Sequence, residues 1–224
     1  MENFRRIVHS ASSVTLLGGG SARKCDLKES LTFAPLLVCA DGGANHARKW
    51  GVTPAGIIGD MDSYHLDPAL ETEIPLLPVS DQNSTDFEKC LAIVTAPVVL
   101  GVGFLGKRLD HQLAALNGLC KHPGRAIVLI GKKDVVFRAP PSFAMQLAAE
   151  TRVSLHPITG VQAKSTGLVW PVAGLDFQPN GQIGSSNAAI GGRFELEVLH
   201  GDLLVMLPRK QLKQVVQALR AGLD

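Results

Sequence analysis

The sequence predicts an α/β protein: an N-terminal doubly wound, mostly parallel sheet domain followed by a C-terminal antiparallel β-sandwich domain. Three observations carry this expectation. Short apolar runs alternate with helix-like stretches through the first ~135 of the 224 residues, as repeated βα units do. Most of these runs are apolar at successive rather than alternate positions, as parallel strands covered on both faces require. After Pro140-Pro141 the runs shorten and are separated by Gly, Pro and Asn, the pattern of antiparallel strands joined by turns. The predicted division is residues 1–137 for the α/β domain and 138–224 for the β-sandwich domain with a terminal helix.

Taken in order, strands are expected at Val14–Leu17, Leu36–Ala40, Gly56–Gly59, Leu76–Val79, Val98–Val102 and Ala126–Ile130. Between them Ala44–Trp50, Tyr64–Glu73, Thr85–Thr95 and Asp110–Cys120 read as helices. Thr85 is placed to cap the helix entered at Asp86, and Glu88 three residues on completes a capping box. In the second domain, strands are expected at Arg152–Leu155, Ile158–Val161, Leu168–Val172, Phe194–Leu199 and Leu203–Leu207. Over 208–223, Leu212, Val215, Val216 and Leu219 fall at helical spacing, which predicts an amphipathic helix packed on the body.

A net charge of +2 argues against a nucleic-acid or membrane-surface protein. No apolar run approaches the ~18 residues of a membrane span, and the N-terminal stretch lacks the apolar core of a secretory signal. Cys25, Cys39, Cys90 and Cys120 are scattered without a C-x-x-C pair, so buried thiols in a reducing cytoplasm are expected rather than zinc ligation or a disulfide framework.

In doubly wound sheets, ligands bind at the carboxyl ends of the strands. Those ends hold Gly18-Gly19-Gly20, Asp41-Gly42-Gly43-Ala44-Asn45, Asp60-Met61-Asp62-Ser63, Asp81 to Asp86, and Gly101 to Gly106. Asp60 and Asp62 admit two readings. Gly, Asp and Ser form turns; alternatively, an extended backbone through Met61 would point both carboxylates the same way, roughly 7 Å apart. Such a pair repels unless a cation or proton sits between them. Asp86 raises the number of acids to three, and three oxygen ligands with room for water and phosphate describe a magnesium site serving a nucleotide. Lys89, one turn beyond Asp86, is either a phosphate-neutralising cation or a solvated surface lysine. The stretch GVGFLGK at 101–107 nearly spells a phosphate-cradling P-loop, but Arg108 stands where the magnesium-binding hydroxyl belongs. Arg108 and Lys107 remain candidates for phosphate oxygens, with Asp110 and His111 opening the helix.

The segments ADGGAN, GDMDS, DQNSTDFEKCL, GKRLDH, STGLVW and SSN occur in the order seen in thiamine pyrophosphokinases, and the resemblance runs from about Gly18 to Leu207. It implies transfer of the β,γ-pyrophosphoryl group of ATP to the hydroxyethyl oxygen of thiamine, giving thiamine diphosphate and AMP, in a homodimer with its active site at the subunit interface. Carried over by motif, it implies Mg²⁺ on Asp60, Asp62 and Asp86. It puts Asp41, Gly42, Gly43, Asn45, Lys89, Arg108, Asp110 and His111 on the ATP side, and Gln82, Trp170, Ser185, Ser186 and Asn187 on thiamine. Lys107 and Ala188 depart from the family pattern, at the edges of the phosphate and thiamine sites. No G-x-S-x-G elbow or isolated nucleophilic cysteine is evident, so direct transfer is expected, with Asp86 or Asp110 taking the proton. A different acceptor, such as a hydroxymethylpterin, would keep the acidic loops without needing STGLVW and SSN. Trp170 is either core packing or a stacking face for thiamine.

Overall fold

Unbroken apolar runs too short for helices are best buried as central strands, and this is what the chain does with them. The computed structural model describes residues 9–63 and 74–222, so the predicted helix over 64–73 lies outside the described residues. The chain forms two compact units: one runs up to Gly118 and includes Leu129–Gly131, the other holds Leu119–Val128 and the chain from Lys132 on.

The first unit contains β1 (Val14–Leu17), β2 (Leu36–Ala40), β3 (Gly56–Gly59), β4 (Leu76–Pro78) and β5 (Val98–Val102), together with α1 (Lys24–Phe33), α2 (Gly43–Trp50), α3 (Asp86–Ile93) and all but the last two residues of α4 (Leu109–Cys120). The strands are parallel in the order β5-β1-β2-β3-β4, with Val14 opposite both Leu36 and Val99. The chain therefore works outward from β1 to β4 and returns to the other side of β1. This reversal opens a crevice at the carboxyl ends of β1 and β5. Val14, Leu16, Leu17, Val38, Ile58, Val98, Val99 and Leu100 have no exposed surface, and each buried Val, Leu or Ile side chain contributes roughly 1.5–3 kcal/mol.

Helix α1 had no apolar stripe to announce it. It is anchored instead by polar groups: Thr15 Oγ1 on β1 donates to the Ala34 carbonyl at 2.7 Å and lies 2.9 Å from Ser30 Oγ. Asp26 closes its first turn on the Arg23 amide at 2.9 Å.

Strand β6 (Ala126–Ile130) lies where the chain passes between the units. The second unit has one antiparallel sheet in the order β11-β9-β13-β7, from β7 (Asp134–Arg138), β9 (Arg152–Pro157), β11 (Gly184–Ala188) and β13 (Leu203–Pro208). A second sheet, β10-β12-β8, is made by β8 (Ser142–Leu147), β10 (Gln162–Thr166) and β12 (Gly192–His200). Phe137 of the first meets Phe143 of the second at 5.0 Å between ring centroids. A 3₁₀ turn (Arg209–Gln211) leads into α5 (Leu212–Ala221), which buries Leu212, Val215, Val216 and Leu219 against β8, as its periodicity predicts.

Two expected strands are absent. The run Ile158–Val161 follows the end of β9 as a turn, with Val161 making a single bridge to Phe177. Leu168–Val172 is a loop entered through the left-handed Gly167 (φ 78°); Leu168 makes a single bridge to Ala189, and Pro171 stops the pairing from extending. The strand in this region is the polar β10, whose residues lack the expected apolar signal. Among the described residues, no helix is long and apolar enough to cross a membrane.

Candidate active site

The crevice between β1 and β5 is shaped by backbone crossing backbone. The Gly18 amide donates to Val102 O at 2.8 Å and the Gly20 amide to Gly103 O at 2.9 Å. A Cβ at Gly20 would lie 2.4 Å from Gly103 O, and one at Gly43 would lie 1.9 Å from Leu17 O, so only glycine fits at either place. The resulting cavity is about 620 Å³, lined by these loops and by Asp60, Asp62, Asp86, Lys89 and Arg108. His46, a residue without a motif to mark it, braces the first loop. Its Nε2 donates to Gly20 O at 3.0 Å while its ring stacks on Trp50 one helical turn away.

The acids converge beside these loops. Oxygens of Asp41, Asp60 and Asp86 lie within 4.8 Å of one another, brought together from the ends of β2 and β3 and the first turn of α3. Asp41 is fully buried in a left-handed backbone conformation (φ 38°). Its Oδ2 accepts from the Ser63 amide at 3.1 Å, while Oδ1 has no hydrogen-bond partner. Burial pushes its carboxyl above the ordinary range, against the pull of the Ser63 amide. Met61 is also left-handed (φ 65°), so the extended backbone that would align Asp60 with Asp62 does not form. Asp62 instead accepts from Ser63 Oγ at 2.8 Å, and its amide approaches Asp60 Oδ1 at 3.4 Å.

Lys89 is not a solvated lysine. Its side chain is only 3% exposed, and Nζ donates to Asp60 Oδ2 at 2.7 Å and to Asp86 Oδ1 at 3.3 Å. Burial acts to lower its pKa, but the hydrogen bonds to Asp60 and Asp86 outweigh it and hold the ammonium above its ordinary value. The same contact holds Asp60 below the usual carboxylate range, whereas burial keeps Asp86 above it despite Lys89. All the converging ligand atoms are hard oxygens, and a buried carboxylate oxygen without a partner is an acceptor awaiting a proton or cation. The residues therefore fit a magnesium ion.

The flanking loops are organised by local hydrogen bonds. Thr85 and Glu88 form the predicted capping box, with Glu88 Oε2 accepting from the Thr85 amide at 2.9 Å. Asp81 stitches its own turn, accepting from the Asn83 amide at 2.9 Å and Ser84 Oγ at 2.5 Å, and leaves Gln82 on the cavity wall. Gly42 and Asn45 also line the cavity, and Asn45 Nδ2 donates to Ser63 O at 2.8 Å, tying the α2 entry to the acidic loop. On the far wall, Lys107 takes a left-handed conformation (φ 83°) ahead of Arg108 and His111. Arg108 Nη2 and Nε grip Asp110 at 2.5 and 3.1 Å in an exposed pair. This grip lowers Asp110 to about 2, which makes it a poor base.

In the second unit, Trp170 is 61% exposed, which excludes core packing as its role. Its backbone is held by buried Asn187, whose Oδ1 accepts from the Trp170 amide at 3.2 Å and whose Nδ2 donates to Trp170 O at 2.6 Å. Asn187 Oδ1 also accepts from the Ala188 amide at 2.8 Å, so this side chain positions the loop. Ser185 and Ser186 are exposed on β11 within a register shift between Gly184 and Asn187, and Ser186 is left-handed (φ 57°). Such bulges re-aim side chains.

The profile of the thiamin pyrophosphokinase catalytic domain matches residues 27–129. Thiamine pyrophosphokinase 1 of Arabidopsis thaliana is 29% identical over 72% of this chain and 76% of its own. The rice enzyme of the same name is 28% identical over 69% and 75%. Among solved structures, the thiamin pyrophosphokinase of Geobacillus thermodenitrificans aligns with a TM-score of 0.73 at 22% identity, covering 87% of this chain and 96% of that one. The yeast thiamin pyrophosphokinase gives 0.69 at 16% identity, covering 95% and 92%.

Proposed function

We propose that the chain is a member of the thiamin pyrophosphokinase family, whose catalytic-domain profile matches residues 27–129, and that it transfers pyrophosphate from ATP to the hydroxyethyl oxygen of thiamine, releasing thiamine diphosphate and AMP. The observation that carries this is the convergence of Asp41, Asp60 and Asp86 beside a glycine-built crevice in the segment matching the family's catalytic domain. Asp60, Asp62 and Asp86, with Asp41 beside them, would hold Mg²⁺, which when bound supplies positive charge to the phosphate oxygens. The Gly18–Gly20 and Gly103–Gly106 loops accommodate the polyphosphate by close backbone approach, and Arg108 and His111 face it from the other wall. Gly42, Gly43 and Asn45 set the entry of α2 on the nucleotide side.

In the reaction, a bond forms between the thiamine oxygen and the β-phosphorus as the bond from that phosphorus to the α,β-bridging oxygen breaks. AMP leaves with the electron pair. Positioning and charge neutralisation do most of the work in such transfers. Asp86 or Asp110 takes the proton, and the Arg108 pair, which lowers Asp110 to about 2, weakens Asp110 for that role. Gln82 on the cavity wall and Trp170, Ser185 and Ser186 in the β domain are assigned to thiamine, with Asn187 holding Trp170 in place. The α/β domain (1–137) would carry nucleotide and metal, and the β domain (138–224) would carry thiamine. A cytoplasmic homodimer with its active sites at the subunit interface completes the reading.

Mass spectrometry of products from ATP, Mg²⁺ and thiamine tests it. AMP with thiamine diphosphate is expected. ADP with thiamine monophosphate would mean a simple kinase, and no thiamine product would point to another acceptor.

A further inference from the structure

Carboxylates crowded at one end of a sheet repel unless a cation or proton lies among them. Here the protein supplies a cation of its own. Lys89 stands one turn beyond Asp86 on α3, its side chain almost wholly buried, and reaches both Asp60 and Asp86. Lysine is almost never buried without such pairing. The two contacts use Asp60 Oδ2 and Asp86 Oδ1, one oxygen from each acid. Asp41, within 4.8 Å of both, keeps an unpartnered oxygen in a fully buried side chain. The cluster is thus partly neutralised and still has acceptor capacity to spare.

We propose that Lys89 is the standing counter-ion of the acid cluster: it holds Asp60 and Asp86 together while no divalent cation is bound, and it lowers the cluster's affinity for such a cation by sharing two of its carboxylates. This inference rests on the metal-binding reading of the site given above. Without Lys89, the half-buried Asp60 and Asp86 and the buried Asp41 lose the cation among them and the metal-free protein weakens, since crowded carboxylates then repel without compensation. The same change removes a positive charge that repels an incoming divalent ion. Even at water-like dielectric, that repulsion over roughly 5 Å corresponds to about a tenfold loss of affinity. A lysine that served only by packing its aliphatic stem would produce neither effect when replaced by methionine.

The test compares wild type with Lys89→Met, both stripped of metal with a chelator and then titrated with Mn²⁺. Thermal melting reports stability, and the electron paramagnetic resonance signal of free Mn²⁺ reports binding. Metal-free Lys89→Met should melt below metal-free wild type, bind Mn²⁺ at least about tenfold more tightly, and gain more in melting temperature from saturating Mn²⁺. A Mn²⁺-induced shift in Lys89→Met equal to or smaller than that of wild type would overturn the counter-ion role. If Lys89→Met does not fold without metal, the double variant Asp86→Asn/Lys89→Met, which removes one charge of each sign, should restore folding. Its failure would assign Lys89 to packing and overturn the inference. Absence of any Mn²⁺ response in wild type would overturn the metal-binding reading itself, and the inference with it.

Discussion

Lys89 and Trp170 organise the molecule's two candidate binding regions, and they are exposed to very different extents, at 3% of the side chain and 61% of the residue respectively. Around Lys89, the groups are charged, buried or half-buried and dependent on one another, and the backbone at Asp41 and Met61 adopts left-handed conformations that cost energy. Around Trp170, the ring is open to solvent, and one buried amide, Asn187, fixes the backbone that carries it. A region of the first kind fails as a unit when any member is changed. A region of the second kind separates: one residue holds the shape while another makes the contact.

The largest effect expected from this difference lies in the acid cluster. Replacing Asp60, Asp62 or Asp86 singly by Asn should lower kcat by about 10²–10³-fold, the range for losing one preorganised electrostatic contact in a transition state. Circular dichroism should show the fold retained, and steady-state AMP release would measure the loss. Near-normal turnover in all three variants would remove the metal assignment.

Next comes the separation at Trp170. Asn187→Ala leaves part-buried backbone groups of Trp170 and Ala188 without their partner, and should cost about 1 kcal/mol of stability while also raising the KM for thiamine. Trp170→Ala should leave the melting temperature almost unchanged. It should raise the thiamine KM by roughly tenfold, in line with about 0.5–2 kcal/mol for stacking a cation on an indole face. Chemical denaturation together with thiamine-dependent kinetics checks both, and equal stability loss in the two variants would end the distinction.

A smaller effect is expected at Arg108. Its ion pair with Asp110 is shorter than either of those of Lys89 but exposed to water, and exposed pairs contribute little to stability. Arg108→Ala should therefore leave the melting curve unmoved and raise the KM for ATP several-fold without changing that for thiamine. Calorimetry showing unchanged affinity for a non-hydrolysable ATP analogue would free Arg108 from the phosphate role.

The sequence made the parallel sheet legible because β1, β2, β3 and β5 are nearly continuous apolar runs buried along their length. Thr85 and Glu88 were equally readable, since a capping box depends only on local spacing. What stayed hidden depends on the third dimension. Asp41 reaches Asp60 and Asp86 because a left-handed residue ends β2 beside the end of β3, and spacing along the chain carries no trace of that. Lys89 offers the same letter whether solvated or buried; only the crossing of α3 over the strand ends decides. Helix α1 hides its packing in Asp26 and Ser30, polar residues buried through hydrogen bonds. Leu168–Val172 shows the reverse error, where an apolar run became a loop because Gly167 and Pro171 govern its backbone.

The smallest expected signal, and the one that joins the two regions, comes from mixing an inactive chain with an impaired one. If each active site takes its acids from one chain and Trp170 from the partner, an Asp62→Asn chain and a Trp170→Ala chain carry defects at opposite ends of the shared site. In an exchanged equal mixture, half the dimers are mixed, and each has one site with both residues intact, as the symmetry of a two-fold interface requires. At thiamine well below KM, activity should then approach about a quarter of wild type, because one intact site in half of the dimers is a quarter of all sites. Sites built from a single chain predict only about a twentieth, half of the roughly tenfold-reduced activity of the Trp170→Ala chain. Native mass spectrometry of the mixture would establish that subunits have exchanged. A fully exchanged mixture that stays near the lower figure would confine Trp170 and the acids to sites within one chain, and the shared pocket would have to be abandoned.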